Sequence, residues 1–421
     1  MHLVKLKMRG PIARSTARTS GVLGARLIAQ AGTLLIVARV LGPLDYGVFA
    51  GVAAMAVMLG TLSSFGMQIV LLADVSREPK CRDDILPFAL TTTMICGSVL
   101  FASYLLLATM LMGNVDVGIG TLAALGLAEL LLQPLLNLAG SEYQGQGRIA
   151  TSQLLISLPV ALRLIAALVI WALHPSNALR DYAWGYFCAS GVALGLATYN
   201  LQQPWPGLRT WRLPKIKELR RAAGYAVMNL TAAGPGELDK ALALNLLPLA
   251  AAGVYAAGAR VIGALTLPVI ALMVSAIPRL FSESATGTRR PSQLLRWLFG
   301  ATLIYGVVLA SILWVSAPLL ESLFGSRYQA LPELVRWLCP AVPGLALRIA
   351  AGGALMALGS PWMRVLFELV GMLLLATVAF LLAPHFGIYA MPIAMTAAEW
   401  TMTICGGLML LGLRRAGEHH V

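Results

Sequence analysis

The sequence predicts an all-α integral membrane protein of about 12 transmembrane helices, in two pseudo-symmetric six-helix bundles around a central cavity. Three observations carry this expectation. The 421-residue chain is 58% hydrophobic and only 12% charged, too few polar groups to cover a globular surface in water. Apolar runs long enough to cross a bilayer recur from end to end. Basic residues gather in alternate short connections between those runs, as the positive-inside rule requires.

The apolar runs fall near 22–41, 47–72, 86–112, 117–139, 152–173, 182–201, 223–246, 253–278, 294–317, 331–356, 361–383 and 388–411. The N-terminal bases (Lys5, Lys7, Arg9, Arg14, Arg18) precede a run too long for a signal-peptide core, so that run reads as a first span with a cytoplasmic tail. Arg77, Lys80, Arg82, Arg148, the stretch Arg209–Arg221, Arg279, Arg289, Arg290, Arg364, Arg414 and Arg415 then fall on one side, against Arg180 and Arg327 on the other. Both termini are therefore expected on the cytoplasmic side, with the chain multi-pass in the membrane. The net charge of +13 follows this topological pattern, so nucleic acid is not expected as a partner. The 5 cysteines lie far apart in no ligand-like spacing, which predicts no metal site.

The halves resemble each other. Gly47-Val48-Phe49 follows the first span and Gly253-Val254-Tyr255 the seventh. Gly147 and Gly359 follow the fourth and tenth. Pro175 and Pro384 close the fifth and eleventh. These words stand in the same order at nearly one offset, although Gly and Pro also end helices by convergence. The reading gives an N-terminal bundle at 1–201, a basic linker at 202–222 and a C-terminal bundle at 223–421. Leu213, Ile216 and Leu219, three apart among bases, suit a short amphipathic helix on the inner membrane surface, with Trp205 and Trp211 as headgroup anchors. A plain positively charged linker fits the same residues.

Ionisable residues inside the spans are the most informative feature. Arg163, Lys240, Arg260 and Arg348 lie there, with Glu129, Glu237, Asp239, Glu368 and Glu399. Facing lipid, they would together cost on the order of 25 kcal/mol, above the net stability of most folds. They must line a wet cavity or pair with one another. Arg26 and Arg39 lie nearer span ends, where Arg296 and Arg336 also sit and can snorkel to the headgroups. Gly234-Pro235-Gly236 inside the seventh span is expected to break or kink that helix as a hinge, and Glu237 and Lys240, three apart, can pair on one face.

Arg39-Val40-Leu41-Gly42-Pro43-Leu44-Asp45-Tyr46-Gly47-Val48-Phe49 resembles the signature after the first helix of polysaccharide-unit (Wzx-type) flippases, in the multidrug/oligosaccharidyl-lipid/polysaccharide exporter superfamily. Asp239-Lys240, Gly253 through Arg260, Leu267-Pro268 and Ile277-Pro278-Arg279-Leu280 resemble its second-half signature. The resemblance implies a central cationic cavity and flipping of an undecaprenyl-pyrophosphate-linked oligosaccharide from the cytoplasmic to the periplasmic leaflet of a bacterial inner membrane. It assigns the anionic carrier to Arg39, Lys240 and Arg260, then to Arg26, Arg163 and Arg348. Glu129, Glu237, Asp239, Glu368 and Glu399 are candidates for coupling to a proton or sodium gradient, with no cofactor. A monomer is expected, with a polysaccharide polymerase as partner. The rivals are a cation-coupled drug exporter of the same superfamily, and a membrane-embedded glycan ligase or transferase. The second would need a catalytic loop that this chain's short connections do not offer. No enzymatic activity is expected.

Overall fold

The structure is a computed structural model that describes residues 11–111, 117–201, 203–273, 276, 291–358 and 361–418. Lys5, Lys7, Arg9, Arg279, Arg289, Arg290, Gly359, His419 and His420 lie outside the described residues, as does the motif at 277–280. The helices are α1 (Pro11–Ser63), α2 (Met67–Arg77), α3 (Arg82–Leu111), α4 (Ile119–Leu127), α5 (Gln133–Gly145), α6 (Ile149–Leu173), α7 (Ala178–Tyr199), α8 (Ile216–Leu246), α9 (Leu249–Leu265), α10 (Pro291–Phe324), α11 (Leu331–Leu338), α12 (Ala341–Leu358), α13 (Pro361–Phe386) and α14 (Ala390–Glu418).

These make about 12 crossings among the described residues. Seven helical runs are long and apolar enough to cross a bilayer unaided, or eight when α11 and α12, bent by 48°, count as one. Two of the seven hold two crossings each. The 40-residue run Gly24–Ser63 changes direction at Gly42, and the 52-residue run Trp362–Leu413 turns at Gly387–Tyr389. The second run would extend about 78 Å as one helix, against about 30 Å of hydrocarbon. Helices α7 and α8 complete the set. Glu237, Asp239 and Lys240 hold down the hydropathy of α8, and the tyrosines, Trp184 and the glycines that of α7.

Gly42 shows why a crossing ends where it does. Pro43 disfavours helical backbone at the residue before it, and Gly42 sits at φ 70°, ψ 173°, a conformation that costs a residue without Cβ little. The next helical arm starts at once, because Pro is tolerated in a first turn.

The chain divides into two units. The first comprises Met1–Val40 and Leu59–Ala226, the second Leu41–Met58 and Val227–Val421. Residues 41–58, which the sequence places with the first half, thus pack with the second. The reason is visible at the repeated glycines. Gly47 and Gly253 stand back to back, and a Cβ on Gly253 would run into the Pro43 carbonyl oxygen, as one on Gly47 would into that of Leu249. Only bare backbone allows so close a crossing.

The neighbours repeat from unit to unit. In the first, α6 packs on α7, α4 on α7, α5 on α6, α3 on α4 and α2 on α5. In the second, α13 packs on α14, α12 on α14, α12 on α13, α10 on α12 and α11 on α9.

At Gly234-Pro235-Gly236, where the sequence suggests a break or a kink, the helix is not broken: α8 runs from Ile216 to Leu246 with Pro235 inside it. A transmembrane helix can absorb a proline when side chains satisfy the freed backbone. The carbonyl left without its helical donor here is that of Thr231; nearby, Thr231 Oγ1 donates to the carbonyls of Val227 and Met228 one turn earlier, and Lys240 Nζ to that of Gly236. The linker is also not a helix over 202–222. From Gln203 to Lys215 it is extended apart from one short turn, Leu208–Thr210, and helix resumes at Ile216. Trp205 and Trp211 point inward, against the core of unit 1.

Candidate functional site

Each unit carries its own cluster of charged side chains at membrane depth. In unit 1 it forms where α4 meets α5. The segment Ala128–Leu132 between them is a π-helix, in which the Gln133 N–H reaches back five residues to the Ala128 carbonyl. Pro134 explains it. Proline cannot donate to the Leu130 carbonyl, and its ring pushes that turn open. Such single-turn bulges are frequent at functional sites. This one carries Glu129.

Glu129 is buried, and Arg163 of α6 binds its Oε1 through Nη2 at 3.0 Å. The same Nη2 donates to Ser190 Oγ at 2.9 Å. The Tyr186 hydroxyl also donates to Glu129 Oε1, and the Arg163 guanidinium carbon lies 3.5 Å from the Tyr186 ring centroid. Arg163 is therefore held at its edge by charge and on one face by a ring. Arg163 Nε is buried without a hydrogen-bond partner. Arg26 lies within electrostatic reach of Arg163. No ion pair to Arg26 occurs among the described residues. The cluster thus sets two guanidinium groups against one carboxylate.

Unit 2 is differently balanced. On α8, Lys240 Nζ lies 3.1 Å from Asp239 Oδ1 and 3.5 Å from Glu237 Oε2, the pairing expected from their spacing. Tyr255 of α9 donates to Asp239 Oδ2 at 2.9 Å. Arg348 of α12 binds Glu399 of α14 at 2.6 Å, and Arg364 binds Glu368 within α13 at 2.9 Å. Glu399 senses both Asp239 and Glu368, so the pairs form one electrostatic network. Arg260 and Glu237 flank Tyr46. Four acids stand against Lys240, Arg260, Arg348 and Arg364.

The structure therefore brings Arg26, Arg163 and Glu129 together in unit 1, and Glu237, Asp239, Lys240, Arg348, Glu368 and Glu399 together in unit 2. Arg39 is exposed at the end of its unit-1 segment, and Arg260 is half-buried on α9. The alternative of paired charges, left open by the sequence, holds for Arg163, Lys240 and Arg348. Sequence reasoning missed Tyr186, Ser190 and Tyr255. Tyr255 was in view as the aromatic of a repeated word. Tyr186 follows Tyr182 by one turn, a weak sign of a polar stripe on α7.

It also missed a third cluster, at the end of unit 1 where the chain turns between α2 and α3. Arg82 is buried and donates from Nε to Glu142 Oε1 at 2.5 Å, and from Nη2 to the carbonyls of Gln203 and Pro204 at 2.8 and 3.2 Å. Trp205 Nε1 donates to the other oxygen of Glu142 at 3.2 Å. Arg212 grips Glu218 through two bonds of 2.9 and 2.7 Å and lies 4.4 Å over the Phe88 ring. Arg221 grips Asp74 likewise, at 2.7 and 2.5 Å. The Arg212 hydrogen bonds hold the Glu218 carboxyl below its ordinary value.

A family described as polysaccharide biosynthesis protein matches residues 12–284. The chain belongs to that family. Solved structures share its fold at low identity. An inward-facing multidrug-resistance transporter of the MATE family, MOP superfamily, superposes with a TM-score of 0.75 at 13% identity, over 92% of this chain and 96% of that one. The lipid II flippase MurJ in an inward closed conformation gives 0.72 at 10% identity, over 93% and 87%. A MOP-superfamily transporter from Pyrococcus furiosus, described by a binding pocket of reverse polarity, gives 0.63 at 13% identity, over 96% and 93%. No curated sequence matches the chain. The chain thus belongs to the polysaccharide biosynthesis protein family and has the fold seen in the MATE and MurJ structures.

Proposed function

We propose that this chain is a membrane transporter that flips an oligosaccharide linked to undecaprenyl pyrophosphate from the cytoplasmic to the periplasmic leaflet by alternating access, in polysaccharide biosynthesis. The observation that carries the reading is the charge surplus in unit 1, where Arg163 binds Glu129 and Arg26, within electrostatic reach of Arg163, has no ion pair among the described residues. A pyrophosphate cannot enter hydrocarbon unaided. Guanidinium groups at reduced dielectric bind phosphate through charge-assisted, often bidentate, hydrogen bonds. Glu129 stands in for that anion while the site is empty. When the headgroup takes Arg163, Glu129 loses its counter-ion and takes up a proton, which ties binding to a proton gradient. A cationic drug would need an acid without a base. Instead Glu129, Glu237, Asp239, Glu368 and Glu399 each lie within ion-pair distance of a Lys or Arg.

The test is reconstitution in liposomes with a fluorescent polyprenyl-pyrophosphate glycan. Arg163→Gln is expected to lower the flipping rate at least about tenfold, the loss of one charge-assisted contact. Glu129→Gln should keep binding and lose the dependence on a pH gradient. Unchanged flipping in Arg163→Gln would overturn the reading, and so would export of cationic dyes with no action on the glycan.

A further inference from the structure

We propose that residues 203–221 form a strap, latched to unit 1, that seats on the anionic headgroups of the adjacent lipid leaflet. The expected anchors, Trp205 and Trp211, are taken up by the protein. Their indole N–H groups bond to Glu142 and to the Pro206 carbonyl, and their rings pack on the unit-1 core. With the tryptophans turned in, other side chains turn out. Leu208, Leu213 and Ile216 are 76%, 69% and 78% exposed. Beside them Arg209, Lys215, Lys217 and Arg220 are exposed and lie in no ion pair among the described residues. The two other bases of the strap, Arg212 and Arg221, are committed to Glu218 and Asp74 and act as its rivets.

The strap thus sorts its cations into two kinds, one spent on the protein and one facing outward among exposed aliphatic side chains. Apolar groups flanked by Lys and Arg are the pattern of a segment lying in the headgroup layer. Charge complementarity names the occupant as anionic lipid. The strap leaves α7 at Tyr199 and enters α8 at Ile216, two transmembrane helices, so its ends are fixed near the membrane boundary. The latch matters because Arg82, bonded to the backbone of Gln203 and Pro204, holds the chain extended. The segment is therefore presented before lipid arrives, and little ordering is needed on contact.

The experiment measures backbone hydrogen exchange of the full-length protein in nanodiscs, of phosphatidylcholine alone and of phosphatidylcholine with phosphatidylglycerol. Amides over 207–217 are expected to exchange more slowly in the anionic discs. The difference should shrink about fivefold for each of Arg209→Gln, Lys215→Gln and Lys217→Gln, and vanish at high salt. The variant Leu213→Ser with Ile216→Ser keeps every charge and should lose part of the protection. All these positions are exposed, so folding is not at risk. Equal exchange in the two lipids would overturn the proposal and leave the face to a soluble partner. So would equal protection by inorganic pyrophosphate in phosphatidylcholine discs, which would mark a general anion site.

Discussion

The two units carry the same packing pattern and opposite polar designs. In unit 1 a single carboxylate, Glu129, binds Arg163 and accepts from Tyr186 as well, while Arg26 beside Arg163 pairs with no acid among the described residues. In unit 2 the acids and bases match in number and are linked, with Tyr255 closing on Asp239. The packing repeats between the units, and the charges do not. A balanced network holds helices together and offers little to an incoming anion. A cluster with one base in excess is stable only while something, a solvent molecule or a ligand, answers the surplus.

The largest effect should separate the units by the number of donors each carboxylate keeps. Arg348→Met strands Glu399, whose only hydrogen bond described is from Arg348. Removing one partner of such a buried pair costs about 3–5 kcal/mol. Arg163→Met leaves Glu129 the Tyr186 hydroxyl, so about 1–3 kcal/mol is expected. The double variant Arg348→Met with Glu399→Met should recover most of the loss. Denaturation of the purified protein in detergent reads all three, and equal losses for Arg348→Met and Arg163→Met would dissolve the comparison.

Next come the two tyrosines. Tyr186→Phe and Tyr255→Phe each remove one hydrogen bond to a buried carboxylate, worth about 1.5–3 kcal/mol. Their stability losses should be similar. Their effects on transport should not be, because only Tyr186 touches the cluster with surplus charge. A flipping assay in which Tyr255→Phe is the more damaging would move the binding site to unit 2.

How much of this was legible beforehand follows from what local sequence encodes. Crossing number is written in apolar run length, and Gly42-Pro43 marked a helix boundary through its own backbone chemistry. The i, i+3 pair of Glu237 and Lys240 was readable because both lie on one helix. Arg348 with Glu399 and Arg82 with Glu142 join residues 51 and 60 positions apart, and no local pattern reports such partners. The Gly-Pro-Gly word reads locally as a break or a kink, and α8 stays helical through Pro235 because a membrane-spanning helix tolerates a proline that its surroundings support. The π-bulge at Glu129 was in principle visible in Pro134.

A smaller change probes the scaffold that the units share. Gly253→Ala places a methyl against the Pro43 carbonyl, at a crossing that the repeat partner Gly47 completes. Overpacking of this kind costs about 1–3 kcal/mol. The effect should be confined to stability and conformational exchange, with binding of the soluble headgroup unchanged. Loss of headgroup binding would mean that the crossing and the polar clusters are coupled.

The smallest effect lies at the strap, where the ion pair is half-solvated and should weigh least of all. Arg212 holds the Glu218 carboxyl below its ordinary value of 4.5. A carboxyl depressed in the folded state stabilises it above the ordinary value, and the contribution disappears as pH falls through the depressed one. Glu218→Gln should therefore cost about 0.2–1 kcal/mol at neutral pH and nothing in strong acid, where the native side chain is also neutral. Melting curves of both proteins at neutral pH and at low pH check this. A gap that persists in acid would mean that Glu218 holds Arg212 by shape and hydrogen bonding, with its charge contributing nothing.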